Sequence, residues 1–150
     1  MSVSFTIAGE PKGKGRPRVV SKNGFSRAYT PKDTAMYENL VRVEYELQTD
    51  RYRFPDDAML MMSINAYYPI PKSVSKKKHE QMVIGKIRPT KKPDADNIIK
   101  CIADSLNNVA YKDDSQIVDV VCSKYYSDEP RVTVWIEDLE KTMSETSSTG

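Results

Sequence analysis

The stretch Pro93–Asp114, PDADNIIKCIADSLNNVAYKDD, carries two patterns at once. Ile98, Ile99, Ile102, Ala103 and Leu106 recur at helical spacing. At about 100° per residue they fill one arc of a helix. Asp96, Lys100, Asp104 and Asn107 gather on the opposite arc. Asp94 and Asp96 precede or open this helix, and Asp113 and Asp114 follow it. One face is therefore built for burial, and the other presents carboxylates, an amide and an ammonium. The rest of the chain reads as the support for that polar face.

Working outward, Ser2–Ile7 alternates polar and apolar residues, as a half-buried strand does. GEPKGKGRPR, residues 9–18, is too rich in glycine and proline for a helix or central strand. Thr30 and Pro31 are a suitable N-cap and first residue for a core-packing helix to about Gln48, with Tyr37, Leu40, Val41, Tyr45 and Leu47 on its apolar side and Met36 and Val43 broadening it. A polar connection over 51–57 leads to a long strand, Ala58–Tyr68, apolar on both faces and expected to be covered on both. Pro69 and Pro71 end it, and Ser73 or Ser75 caps a short lysine-rich helix to about Ile84. A basic loop, GKIRPTKKP over 85–93, then runs into the acidic helix. Asn107-Asn108 and Lys112–Ser115 carry turn chemistry. Gln116–Tyr126 reads as a strand covered on both faces, Ser127–Pro130 as a hairpin turn, and Arg131–Glu137 as the returning strand. The order is β-α-β-α-α-β-β, an α/β or α+β single domain over residues 1–140 with helices packed on a mixed sheet. Residues 141–150 lack a core-forming pattern and read as a disordered tail.

Composition narrows the chemistry. No apolar run is long enough to span a membrane, and the N-terminus has no secretory pattern. Cys101 and Cys122 match no metal-ligand spacing and suit a reducing compartment. A single histidine, His79, cannot build a histidine-rich zinc site; in its lysine run it reads as a surface residue. The net charge is only +2, but the charges are segregated. Residues 11–32 hold seven Lys/Arg and no acid, and 69–93 hold eight against Glu80 alone. Residues 103–150 hold ten Asp/Glu against four Lys/Arg. This separation points to a polyanion-facing surface. Lys12, Lys14, Arg16 and Arg18 in the first basic loop, and Lys76, Lys77, Arg88, Lys91 and Lys92 in the second basic segment, are the candidate phosphate contacts, with Phe25 and Tyr29 placed to pack on sugars or bases.

Asp94, Asp96 and one of Asp113 or Asp114 can converge if the helix lies against the strand that follows Ser115. Hard oxygen ligands of this kind suit Mg²⁺ or Mn²⁺. Lys100, one turn after Asp96, is placed to meet a phosphate or stabilise charge developing on it. The competing reading is structural: Asp94 or Asp96 caps the helix, and Asp113-Asp114 makes a turn.

The combination of DADNIIK with KDDSQIV, together with the early GKGRPR, resembles the RusA-type Holliday junction resolvases. The resemblance covers Pro93–Val118 and Gly13–Arg18 most closely. It implies a RusA-like fold and a Mg²⁺-dependent endodeoxyribonuclease that resolves four-way junctions by paired symmetric nicks, in DNA recombination and repair. It implies Asp94, Asp96 and Asp114 as metal-binding catalytic aspartates, with Lys100 as the catalytic lysine and Asp113 as a neighbouring acid. Asp104 matches a recurring family position. The implied partners are four-way-junction DNA and a second copy of the chain, with no membrane and no small-molecule cofactor. The implied setting is bacterial or phage-encoded, cytoplasmic and nucleoid-associated. Two alternatives stay open: another metal-dependent flap or single-strand nuclease, and a branched-DNA-binding module without catalysis.

Overall fold

The computed structural model describes residues 1–15, 18–22, 25–29 and 32–139, and for 18–22 and 25–29 the course of the backbone. In chain order the elements are β1 (Ser2–Ala8), β2 (Arg18–Lys22), β3 (Phe25–Tyr29), α1 (Lys32–Thr49), β4 (Leu60–Pro69), α2 (Lys76–Val83), α3 (Ala95–Ser105), a one-turn 3₁₀ helix (Asp114–Gln116), β5 (Ile117–Ser127) and β6 (Arg131–Asp138). Four strands form one mixed sheet in the order β1-β6-β4-β5, in which β4 and β5 are parallel and the other pairs antiparallel. This is an α+β single domain.

The core follows from alternation in β4. Leu60, Met62, Ile64, Ala66 and Tyr68 all point to one face and are buried. Against them pack Phe5 and Ile7 of β1, Val132, Val134 and Ile136 of β6, and Ile98, Cys101, Ile102 and Leu106 of the α3 region. Helix α1 covers the β1 end of this face, with Tyr45 edge-on to Phe5 at 5.3 Å between ring centres. Its Gln48 side chain accepts from the Thr6 N–H at 2.9 Å and donates to the Thr6 carbonyl at 2.8 Å. The free edge of β1 is thereby occupied at Thr6 by a side-chain amide, which blocks pairing with another strand there.

Several expectations change. Ser127–Pro130 is not a hairpin turn, because β4 lies between β5 and β6; the connection crosses the end of β4. The most continuously apolar strand takes the centre of the sheet, and its two sequence-later neighbours flank it. β5 is a sheet edge, so it is not covered on both faces: Val118 and Val121 are 55% and 57% exposed. A register shift between Leu60 and Met61 pairs Leu60 with Ile117 and Met61 with Asp119, which leaves Val118 as the extra residue. The second face of β4 is half-buried rather than fully covered. In α1 only the arc of Thr34, Tyr37, Val41 and Tyr45 is buried, while Met36, Leu40, Val43 and Leu47 are exposed. The β2–β3 hairpin was missing from the expected order. Its signal, Asn23-Gly24 between two β-prone runs, stands in the sequence. Thr30, Pro31 and residues 140–150 lie outside the described residues, as do the expectations placed on them. No helix among the described residues is long and apolar enough to cross a membrane.

Ile64 is fully buried at the centre of β4. Ile64→Ala should cost about 2–5 kcal/mol through lost apolar contact and the cavity left behind, read from the urea midpoint at unchanged slope.

Candidate active site

Pro93 ends the second basic loop, and its carbonyl accepts from the buried Tyr68 hydroxyl at 2.6 Å. This bond ties the start of α3 to the C-terminal end of β4. Asp94 takes the N-cap position in extended backbone, and its carbonyl accepts the Ile98 N–H at 3.0 Å. Its side chain makes no capping hydrogen bond. The structural duty that would account for Asp94 is therefore unfilled, and its carboxylate is exposed. Asp96 lies in the first turn and is exposed too, where the positive end of the helix dipole favours a carboxylate. Lys100 follows one turn later, also exposed.

The first glycine-rich loop lies along the same helix. Lys14 N–H donates to the Asn97 carbonyl at 3.3 Å, and Gly15 N–H donates to Thr34 Oγ1 at 3.0 Å. A Cβ on Gly13 would stand 2.9 Å from Pro93 Cβ and 3.2 Å from Asn97 Cβ. Glycine is required there for the close approach of the loop to α3. The Lys14 ammonium then reaches the other end of the helix. Its Nζ is 2.7 Å from Asp104 Oδ2 and 3.7 Å from Glu38 Oε1, a buried oxygen with no hydrogen-bond partner of its own. Lys14 is thus an internal counter-ion rather than a free phosphate contact, which corrects its sequence assignment.

Asp104 also meets Asp114. Burial alone raises the Asp104 carboxyl, but the Lys14 hydrogen bond and charge outweigh it and hold Asp104 below the ordinary carboxylate range. Asp114 is pushed up, first by burial and then by the Asp104 carboxylate beside it. Of this pair Asp114 is therefore the member that takes up a proton first as the pH falls, and it then donates to Asp104. The Asp114 N–H donates to Asn107 Oδ1 at 2.8 Å. Asp113 does not join the pair. It caps the 3₁₀ turn, accepting from Ser115 N–H at 3.0 Å, and Gln116 Oε1 accepts in return from Asp113 N–H at 3.2 Å. Hydrogen bonds from the Ser115 hydroxyl and N–H hold the Asp113 carboxyl below the ordinary range. Gln116 Nε2 also donates to the Pro55 and Ala58 carbonyls at 3.0 and 3.1 Å, which anchors the whole turn.

The two acidic groups do not meet within one chain. Asp94 and Asp104 are ten positions apart on α3, about 15 Å along its axis, and Asp114 stays with Asp104. Among the described residues no three His, Cys, Asp or Glu side chains are gathered for one metal ion. Each end nevertheless carries a pair of carboxylates, and Mg²⁺ is commonly held by one or two, with water and substrate phosphate completing its shell. The Asp94 carboxylate, which makes no capping hydrogen bond, and the adjacent Asp104 and Asp114 carboxyls both fit such an ion chemically.

Of the basic candidates, Lys12, Lys76, Lys77, Arg88, Lys91 and Lys92 are exposed. Arg18 opens β2, and Arg16 lies outside the described residues. Gln116, Glu38 and Tyr68 are positioning residues that the sequence patterns did not single out, whereas Asn107 was already placed on the polar arc. Asp113–Gln116 had a legible signal, the cap-x-x-Gln pattern of a reciprocal capping box. Cys101 is free and buried, its thiol pushed up to about 12 by burial, and it takes no part in the acidic face. His79 pairs with Asp128 at 2.9 Å on the surface.

The family model described as Endodeoxyribonuclease RusA matches residues 8–137. The chain belongs to the RusA endodeoxyribonuclease family. A relative in Bacillus subtilis (strain 168), described as "Uncharacterized protein YqaN", is 42% identical over 142 residues, covering 91% of this chain and 96% of the relative. Both glycine-rich loop and acidic helix fall inside the matched region. Members of this family act on branched DNA and are generally dependent on a divalent metal.

The raised Asp114 carboxyl makes a stability forecast. A group with a raised folded value favours the fold below its ordinary range, and that contribution is lost as pH rises through the raised value. At neutral pH the fold therefore bears an unfavourable carboxylate pair. Asp114→Asn, whose amide donates at any pH, should raise the thermal midpoint at pH 7–8 by about 2–4 °C, with the gain shrinking as the pH falls through the raised Asp114 value and gone below about pH 4. Thermal scans of both proteins across that range check it.

Proposed function

We propose that this chain is a Mg²⁺- or Mn²⁺-dependent endonuclease that resolves four-way DNA junctions by paired symmetric nicks, as a homodimer serving DNA recombination and repair. The observation that carries the reading is Asp94. It sits where a capping aspartate belongs, makes no cap, and stands exposed beside Asp96 with Lys100 one turn on, in a member of a DNA-cleaving family.

Asp94 and Asp96 would hold the metal, which when bound would lower the pKa of a water and polarise a phosphoryl oxygen. Asp114, beside Asp104 about 15 Å further along α3 in the same chain, would reach that metal only from a second copy of the chain. Lys100 stabilises the negative charge that grows on the phosphate oxygens during in-line displacement. Lys14 keeps Asp104 ionised, and Asn107 and Gln116 hold Asp114 in place. Asp113 keeps the turn in shape rather than reaching the reacting atoms. Lys12, Arg16, Arg18, Lys76, Lys77, Arg88, Lys91 and Lys92 bind the phosphate backbone, so affinity falls steeply with salt. A four-way junction has two equivalent scissile phosphates, and a two-fold dimer presents one site to each.

The test is cleavage of a labelled immobile four-way junction, a flap and a linear duplex, each with and without Mg²⁺, beside Asp94→Asn. Paired nicks confined to the junction and absent from the variant are expected, with junction binding by Asp94→Asn retained within about threefold. Equal cutting of all three substrates would replace the resolvase with a broader nuclease. Binding without nicks would leave a non-catalytic junction-binding module.

A further inference from the structure

The face of the sheet opposite α3 carries a cationic, aromatic row that the acidic site does not use. Arg131 of β6, Tyr67 of β4 and Tyr125 of β5 stand in direct register across three strands. The Tyr67 and Tyr125 rings are stacked, 5.6 Å apart and 25° from parallel. The Arg131 guanidinium lies 4.0 Å from the Tyr67 ring centre, and the Arg88 guanidinium lies 4.2 Å from that of Tyr125. The result is guanidinium, ring, ring, guanidinium in one line.

Both arginines are held rigidly without a carboxylate. Arg88 Nε donates to the Lys124 carbonyl at 2.8 Å. Arg131 Nη1 donates to Ser127 Oγ at 3.2 Å and to the Glu129 carbonyl at 2.8 Å. Neither forms an ion pair among the described residues, whereas Lys14, Arg51 and Arg53 each do. A stacked guanidinium keeps its full charge, loses little freedom on binding, and matches phosphate with two parallel donors. Asp128, engaged by His79, and Glu129 line the cleft beside Arg131 and bound the row on that side.

The row also lies on a route to the acidic helix. From Arg88 the chain passes around the edge of β5, where Lys124 Nζ donates to the Lys91 carbonyl at 2.6 Å, and reaches Pro93 under the Tyr68 hydroxyl. Asp94 follows. The basic loop thus joins the row on one face of the sheet to the Asp94–Asp96 end of α3 on the other.

We propose that Arg88 and Arg131, braced by Tyr125 and Tyr67, form a second phosphate-backbone site that grips DNA on the face of the sheet opposite α3, beside the Asp94–Asp96 end. The inference rests on the DNA-cleaving reading and adds Arg131 and the tyrosine pair to it. Such a contact reads charge and spacing, not sequence.

Binding of a fluorescent four-way junction is measured in EDTA across a salt series for the wild type, Arg88→Gln, Arg131→Gln, the double variant and Arg51→Gln. Arg51 is an exposed arginine already paired with Glu46. Each single change should weaken binding about three- to tenfold and flatten the log–log salt slope by about one, the double variant by about two, with Arg51→Gln unchanged. Wild-type affinity and slope in the double variant would overturn the proposal while leaving the junction-binding reading intact. No junction binding by the wild type would overturn both. Should Arg131→Gln lower the melting temperature, Arg88→Gln alone decides, because among the described residues its side chain makes one hydrogen bond.

Discussion

The acidic face depends on burying the opposite face of one short helix. Ile98, Cys101 and Ile102 of α3 leave water against β4, whose Met62 and Ile64 are equally buried. That burial fixes the roll of α3 about its axis, and the roll leaves Asp96 and Lys100 exposed in one line with Asp104. Apolar burial is non-directional and strong, on the order of 25 cal/mol per Å². The weaker and more directional polar contacts adjust to the orientation it imposes.

Once α3 is oriented, its two ends differ in how their carboxylates are treated. The Asp94–Asp96 end is tied down through backbone atoms: Tyr68 on the Pro93 carbonyl and Lys14 N–H on the Asn97 carbonyl. Its side chains are left uncommitted. The Asp104–Asp114 end is crowded, with an ammonium, an adjacent carboxyl pair and a half-buried Glu38. Placing like charges together costs stability, and such sites persist where the charge is wanted for something else. Lys14 joins the two halves: its backbone sits at one end of α3 and its ammonium at the other.

The basic segments follow the same division of labour. Composition alone treats every lysine and arginine of the two basic loops as equivalent. In the fold they are sorted by what already holds them. Lys14 is consumed internally, Lys76 and Lys77 stand exposed in the first turn of α2, and Arg88 is stacked and directed. Arg131, lying in a strand outside both basic loops, joins Arg88 only because β6 and β5 flank β4.

Local patterns made several things readable in advance: α3 with its polar and apolar arcs, α2 with its Ser75 cap, and the alternation in β1 and β4. These depend on neighbours within a few positions, or on a motif carried by a continuous stretch. The strand order, the edge position of β5, the exposed half of α1, the capture of Lys14 by Asp104 and Glu38, and the distance between Asp94 and Asp114 depend on residues far apart in sequence. They are decided by which apolar strand takes the centre of the sheet, and a periodicity cannot say which neighbours it will meet. The sequence by itself determined the helix, the residue types on its polar face and its family. The tertiary structure alone decided which charges are spent on one another and which are left for a substrate, because pairing requires contact and only the fold brings these residues within reach.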